Sequence, residues 1–208
     1  MRRRYDSVKR AADVVAAGTL LLATAPLQGA VAVVVARRLG RPVLFRQRRP
    51  GLDGRVFTLV KFRTMLEVDE DKGLVTDADR MTRLGQLLRS TSLDELPTLW
   101  NVLRGDMSMV GPRPLLVEYL DLYTAEQARR HEVRPGVTGL AQTSGRNAVS
   151  WIDRFRLDVE YVEKRSAALD AKILWATLRT VLGRHGVSAE GEATMSRFTG
   201  TRAGEAAP

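Results

Sequence analysis

Between Val14 and Ala36 the chain reads VVAAGTLLLATAPLQGAVAVVVA, 23 residues without a charge. As a helix rising 1.5 Å per residue the run would extend about 34 Å, enough to cross the hydrocarbon of a bilayer. Both flanks are basic. Arg2, Arg3, Arg4, Lys9 and Arg10 precede the run, and Arg37, Arg38, Arg41, Arg46, Arg48 and Arg49 follow it. A straight span would carry one of these clusters across the membrane, against the preference of basic flanks for the cytoplasm. Pro26 sits near the middle, where it lacks an N–H and crowds the preceding turn, and Gly29 follows closely. The expectation is a helix–break–helix hairpin that enters one leaflet and returns. A cleaved signal peptide, suggested by the basic start and the ATA at 23–25, conflicts with an apolar run that continues well past that point. A simple transmembrane anchor tolerates proline and remains an alternative, whereas a buried soluble helix fits poorly with the length and the flanks.

The remainder has the size of one folded domain with a real core. PVLFRQ at 42–47 and RVFTLVKFRTM at 55–65 read as two strands joined by a turn around Pro50, Gly51, Asp53 and Gly54. Residues 66–79 read as an acidic surface loop, followed by helices at 81–90, 115–131, 150–165 and 169–185. The last of these puts Ile173, Leu174, Leu178, Val181 and Leu182 largely on one face, with Trp175 and basic residues nearby. That pattern suits either a core helix or one lying on a membrane surface. The expected organisation is a membrane segment at 1–40, a domain at 41–185 and a disordered tail at 186–208.

The net charge of +9 calls for an anionic partner: nucleic acid, anionic lipid or a phosphorylated substrate. An aromatic content of 6% weakens the nucleic-acid reading, which relies on stacking platforms. With no cysteine, thiolate metal sites and cysteine nucleophiles are excluded.

TSLDELP at 91–97 sets two carboxylates, Asp94 and Glu95, shortly after Arg89. Ser92 and Glu95 have the spacing of a capping box, in which the pair would merely start a helix. Pro97 resists that reading, because it would fall at the fifth helical position, where its missing N–H deletes a ladder bond. Elsewhere, turn formers repeatedly accompany a basic residue: Arg113 between two prolines, Arg134 before Pro135, Arg146 after Gly145. Proline-fixed turns hold a guanidinium at low entropic cost, and the arginine fork matches phosphate oxygens. An acidic pair beside such arginines suits Mg²⁺, which takes one or two carboxylates together with substrate phosphate oxygens.

LRSTSLDELPTLWNVLRGDMSMVGPRPLL closely resembles the signature of the bacterial sugar transferases, the monotopic polyprenyl-phosphate phosphoglycosyl transferases. The similarity extends upstream through RQRRPGLDGRVFTLVKFRTM and downstream through RHEVRPGVTGLAQTSGRN and LDVEYVEKRSAALDAKIL. The resemblance implies a small cytoplasmic α/β domain, mostly helical, with an N-terminal re-entrant membrane helix hairpin and interfacial amphipathic helices. It implies a catalytic face on the cytoplasmic side of the inner membrane. It also implies a reaction in which Asp94 is the nucleophile that takes a phosphosugar from a UDP-sugar, releases UMP, and passes the phosphosugar to a polyprenyl phosphate. Glu95 would assist at Mg²⁺, bound by Asp94 and Glu95, or as a proton acceptor. Arg89, Arg113 and Arg146 are the expected phosphate-binding residues, with Lys61 and Asp158 as further candidates; anionic lipids are expected partners and nucleic acid is not. Two positions depart from the family pattern: Ala25 stands where a serine usually precedes the proline, and Leu140 replaces a common tryptophan. A basic membrane-tethered binding module and a metal-dependent phosphatase or pyrophosphatase are the rival readings.

Overall fold

A computed structural model describes residues 2–144, 150–183 and 197–200. Helix α1 runs from Arg2 to Arg38 and is followed by strands β1 (Leu44–Pro50) and β2 (Val56–Phe62). Next come α2 (Asp77–Arg80), α3 (Arg83–Ser90), a 3-10 helix at Leu93–Thr98, α4 (Leu99–Arg104) and β3 (Ser108–Val110). The order continues with α5 (Ala125–Ala128), β4 (Gly136–Thr138), α6 (Leu140–Thr143), α7 (Trp151–Lys164) and α8 (Ala167–Gly183). The chain is mostly helical, with β1 and β2 forming an antiparallel hairpin and β3 and β4 a short parallel pair.

The expected break at Pro26 does not show as an interruption of the helix. Pro26 lies inside α1, which continues through it. The Thr24 hydroxyl donates to the Leu20 carbonyl at 2.6 Å and accepts from Gln28 Nε2 at 2.9 Å, a back-bonding pattern that bends helices. Thr24 thus supplies polar contacts beside Pro26 where the family's serine is missing. Tyr5–Arg38 is long and apolar enough to cross a membrane, and only 11% of its most apolar stretch is buried. Leu22 is 80% exposed.

Both ends of α1 are nevertheless fastened to the same body. Near the start, Tyr5 and Lys9 donate to Asp170 of α8, at 2.7 and 2.5 Å, and Arg10 donates to the last carbonyls of α4. Buried Asp13 accepts from Ser108 Oγ and from the Met109 amide. Ala17 then packs with Leu59, Leu99, Val102 and Met107, while Val31, Val35 and Leu39 at the other end pack with Phe62 and Leu88.

The strand, 81–90 and 150–165 expectations hold to within a few residues. The helix expected at 115–131 is instead broken into a 3-10 helix at Val117–Leu122, α5, and a 3-10 turn at Arg129–Glu132. The cause is local: Tyr123 is extended, and Thr124 forms a capping box with Gln127 that starts a new helix. In α8 the apolar residues divide between two sides, Ile173 entering the core with Val110 and Tyr161 while Leu174, Trp175 and Leu178 stay exposed. Most of the tail at 186–208 lies outside the described residues. Within it, Phe198 is buried among Tyr119, Tyr123, Trp151 and Phe155, and its amide donates to the Tyr119 hydroxyl.

Candidate active site

The 3-10 helix at Leu93–Thr98 carries Asp94 and Glu95, and its entry is not a capping box. Ser92 has φ 56°, in the left-handed region, and its side chain caps nothing. Glu95, which the box would turn back toward Ser92, points elsewhere. Its Oε1 accepts from Lys61 Nζ at 2.5 Å and from Arg113 Nη2 at 3.1 Å.

Side chains, not strand pairing, fix the distance between this turn and β2. One edge of β2 pairs with β1. On the other, the Val60 amide donates to Asn101 Oδ1 (3.1 Å), Asn101 Nδ2 donates to the Thr58 carbonyl (2.7 Å), and the Thr98 hydroxyl donates to the Val60 carbonyl (3.0 Å). Asn101 is 1% exposed, so its side chain is committed to this joint, while Thr58 on the strand side stays exposed. The joint brings Lys61, the next residue along β2, to Glu95.

Arg113 arrives from the loop after β3. That loop is held by the Gly111 amide on the Thr138 carbonyl and the Gly136 amide on the Pro112 carbonyl, each at 2.9 Å. A Cβ at Gly136 would stand 2.1 Å from the Gly111 nitrogen, so the approach of these backbones demands glycine there. The Arg113 carbonyl accepts from Arg130 Nη2 at 2.7 Å, and Arg130 is in turn paired with Asp158, at 2.7 and 3.0 Å, with both side chains almost fully buried. Asp158, expected at the substrate, is therefore engaged with Arg130, and through it steadies Arg113.

Asp94 is 8% exposed, and no hydrogen bond or ion pair engages its carboxylate among the described residues. Burial, and then the charge of Glu95, push it up to about 6, and Lys61, Arg113 and Arg89 offset this only in part. Burial alone would raise Glu95 too, but Lys61 and Arg113 outweigh it and hold that carboxyl well below the usual range. Arg89 reaches the same space from the last turn of α3, its Nε donating to Thr64 Oγ1 at 3.1 Å. The arrangement sets a basic, unengaged carboxylate beside one that is firmly ionised and neutralised, the division of labour expected of a nucleophile and its electrostatic partner. Among the described residues no group of three or more acidic or histidine side chains forms a metal cage. Asp94 and the second oxygen of Glu95 nonetheless suit an ion that draws its remaining ligands from a bound diphosphate.

Of the expected site residues, Lys61, Arg89, Asp94, Glu95 and Arg113 come together. Arg146 lies outside the described residues. His131 Nδ1 faces the Gly51 carbonyl at 3.2 Å, and Trp100 is exposed on α4 at a cavity shared with Leu21 and Gln28 of α1. Asn101, Thr98 and Arg130 were not singled out from the sequence. The one signal for Asn101 is a polar residue inside the apolar stretch LWNVL.

The bacterial sugar transferase family model matches residues 4–184. The protein named "Uncharacterized sugar transferase EpsL" of Bacillus subtilis is 52% identical over 195 residues, 93% of this chain and 96% of that one. A "UDP-glucose:undecaprenyl-phosphate glucose-1-phosphate transferase" of Caulobacter vibrioides is 43% identical over 193 residues, 87% of this chain and 72% of that one. A protein of the same name from Escherichia coli is 40% identical over 183 residues, 82% of this chain and 39% of that one. With the family model covering most of its length, and with these relatives, the chain belongs to the bacterial sugar transferase family.

Proposed function

We propose that this protein transfers a phosphosugar from a UDP-sugar to a polyprenyl phosphate, the first membrane step of a glycoconjugate assembly. The observation that carries the reading is the buried Asp94 carboxylate, unengaged among the described residues and surrounded by Lys61, Arg89 and Arg113. The names of the Caulobacter and E. coli relatives support the donor and acceptor classes.

In the first half-reaction an Asp94 oxygen attacks the β-phosphorus of the donor. A bond forms between them, the bond from that phosphorus to the bridging oxygen breaks, and the electron pair leaves with UMP. No proton moves, because Asp94 enters as the anion; its raised pKa makes it a stronger nucleophile than an exposed aspartate while leaving it largely ionised near neutrality. Lys61 and Arg113, fixed through Glu95 and Arg130, face the transferring phosphoryl group as preorganised positive charge. Asp94 and Glu95 would hold Mg²⁺, which when bound offsets charge on the diphosphate oxygens. In the second half-reaction an oxygen of the polyprenyl phosphate attacks the same phosphorus and Asp94 leaves as carboxylate.

The membrane placement we propose is re-entrant, with the domain and both ends of α1 on the cytoplasmic face. A helix crossing the bilayer would carry one end away from the domain, whereas Tyr5 and Lys9 at one end and Val35 and Leu39 at the other touch the same body. The exposed Leu174, Trp175 and Leu178 of α8 are suited to the interface. Single cysteines near Arg4 and Arg41 should both react with an impermeant reagent from the cytoplasmic side only; labelling from opposite sides overturns the placement.

The chemistry is tested with detergent-extracted protein, a panel of UDP-sugars and Mg²⁺. Without polyprenyl phosphate, release should stop at about one UMP per site, with the phosphosugar mass on the peptide containing Asp94. Sustained UMP release without acceptor would indicate a phosphatase, and the absence of any adduct under trapping conditions would remove the covalent step.

A further inference from the structure

Arg49, at the end of β1, is a half-buried cation that neither the fold nor the proposed chemistry uses. Its Nη2 donates to Gln47 Oε1 at 2.5 Å, its Nη1 reaches the Pro114 carbonyl at only 3.4 Å, and its buried Nε has no partner. No carboxylate pairs with it among the described residues, whereas Arg63, Arg113, Arg130 and Arg165 each have one. Arg49 is held instead beside a like charge. Its contact on Pro114 puts it one residue from Arg113, and burial together with the Arg113 charge lowers it to about 10. Leaving a guanidinium partly dry, underbonded and next to another guanidinium is unfavourable unless an anion joins them.

The order of the charges gives the anion a place. Arg113 bonds Glu95 with its side chain, while Arg49 touches the carbonyl of the next residue, Pro114, and bonds neither Asp94 nor Glu95. Arg49 therefore stands beside the turn that delivers Arg113. A donor whose β-phosphoryl group meets Asp94 and Arg113 would extend its next phosphoryl group to Arg49.

We infer that Arg49, with Arg113, forms the subsite for the α-phosphate of the nucleotide donor and stabilises the departing nucleoside monophosphate. The inference rests on the phosphosugar-transfer reading. As the bond from the β-phosphorus to the bridging oxygen breaks, the electron pair remains on that oxygen and the α-phosphate gains a negative charge. A fixed guanidinium at that point is worth more in the transition state than in the ground state. Arg49 is then a binding residue for the leaving group, separate in position from the cations that face the transferred group.

The test uses the full chain extracted in detergent, with UDP-glucose and UDP-galactose as donors and undecaprenyl phosphate as acceptor. Arg49→Gln should lower kcat/KM for donor-dependent UMP release by about 100-fold, in the range seen for loss of one donor to a developing oxyanion. It should also weaken inhibition by UMP about tenfold while leaving inhibition by uridine unchanged, and Arg49→Lys should recover part of both losses. If Arg49→Gln fails to fold, Arg49→Lys carries the same comparison, because it keeps the charge and loses the fork. Unchanged kcat/KM and UMP inhibition in a folded variant, or equal weakening by UMP and by uridine, overturns the inference while leaving the transfer reaction intact. A wild-type protein that releases no UMP and binds none overturns the transfer reading, and this inference falls with it.

Discussion

Replacing Asp94 by asparagine should stabilise the protein while stopping its chemistry. The carboxyl is pushed from an ordinary 3.8 up to about 6, chiefly by burial and then by Glu95. About two units at 1.36 kcal/mol each give a ceiling near 3 kcal/mol for what the folded state gives up to keep Asp94 ionised. The sign follows from the direction of the shift. The folded carboxyl holds its proton more tightly than the unfolded one, so the penalty is complete above about 6, shrinks as the pH falls through that value, and vanishes below about 3.8. Asparagine is nearly isosteric and uncharged, so it removes the penalty where it exists. For a chain of this length each kcal/mol moves the melting point by about 2–4 °C, so a gain of several degrees is expected near pH 7.5. The gain should shrink toward zero near pH 4.5. Thermal unfolding of the two proteins in the same detergent across that range measures it, and UMP release measures the activity, which should be lost because an amide cannot form the acyl-phosphate. Asp94→Asn melting at or below the wild-type temperature at pH 7.5 would refute the assignment of Asp94 as an electrostatically strained group. Full activity in the same variant would refute its role as nucleophile.

Glu95→Gln removes the charge that helps to raise Asp94, so the acid limb of any residual kcat/KM profile should move to lower pH; a limb that stays in place would mean that burial acts alone. Asn101→Ala should destabilise by about 1–2 kcal/mol in chemical unfolding, because it removes a buried amide and its bonds to the Val60 amide and the Thr58 carbonyl. Asp158→Ala, which leaves Arg130 buried without its partner, should cost about 3–5 kcal/mol and lower UMP release through the loosened Arg113, with donor KM rising more than in Asp158→Asn.

The carboxylate pair and its nearer cations were legible because their chemistry is written in local sequence: adjacent acids before a proline, and arginines set in proline and glycine turns. What holds them was not. Asn101 and Thr98 act on β2 from about 40 residues away, and the Asp158–Arg130–Arg113 chain joins three separate segments. No periodicity reports such pairings, because they depend on tertiary approach. The helix expected at 115–131 failed for the opposite reason: its apolar spacing suggested continuity, but the Thr124 capping box restarted the chain locally. At Pro26 the helix runs on, so this proline lies beside the Thr24 back-bond without ending α1.

The packing of α1 into two core clusters makes this helix and the rest of the domain one folding unit. Val31, Val35 and Leu39 fill one cluster and Ala17 another, and burial of each larger side chain is worth about 1.5–3 kcal/mol. Removing α1 would thus remove an amount comparable with the whole stability of an ordinary domain, besides stranding the Met109 amide that Asp13 satisfies. A chain beginning at residue 41 should be recovered aggregated or bound to chaperones, and a monodisperse, natively melting product would contradict this. Leu96, in the turn that carries Asp94 and Glu95, packs against the same cluster as Ala17 of α1, so whatever surface covers the exposed apolar stretch of α1 also fixes the orientation of the site.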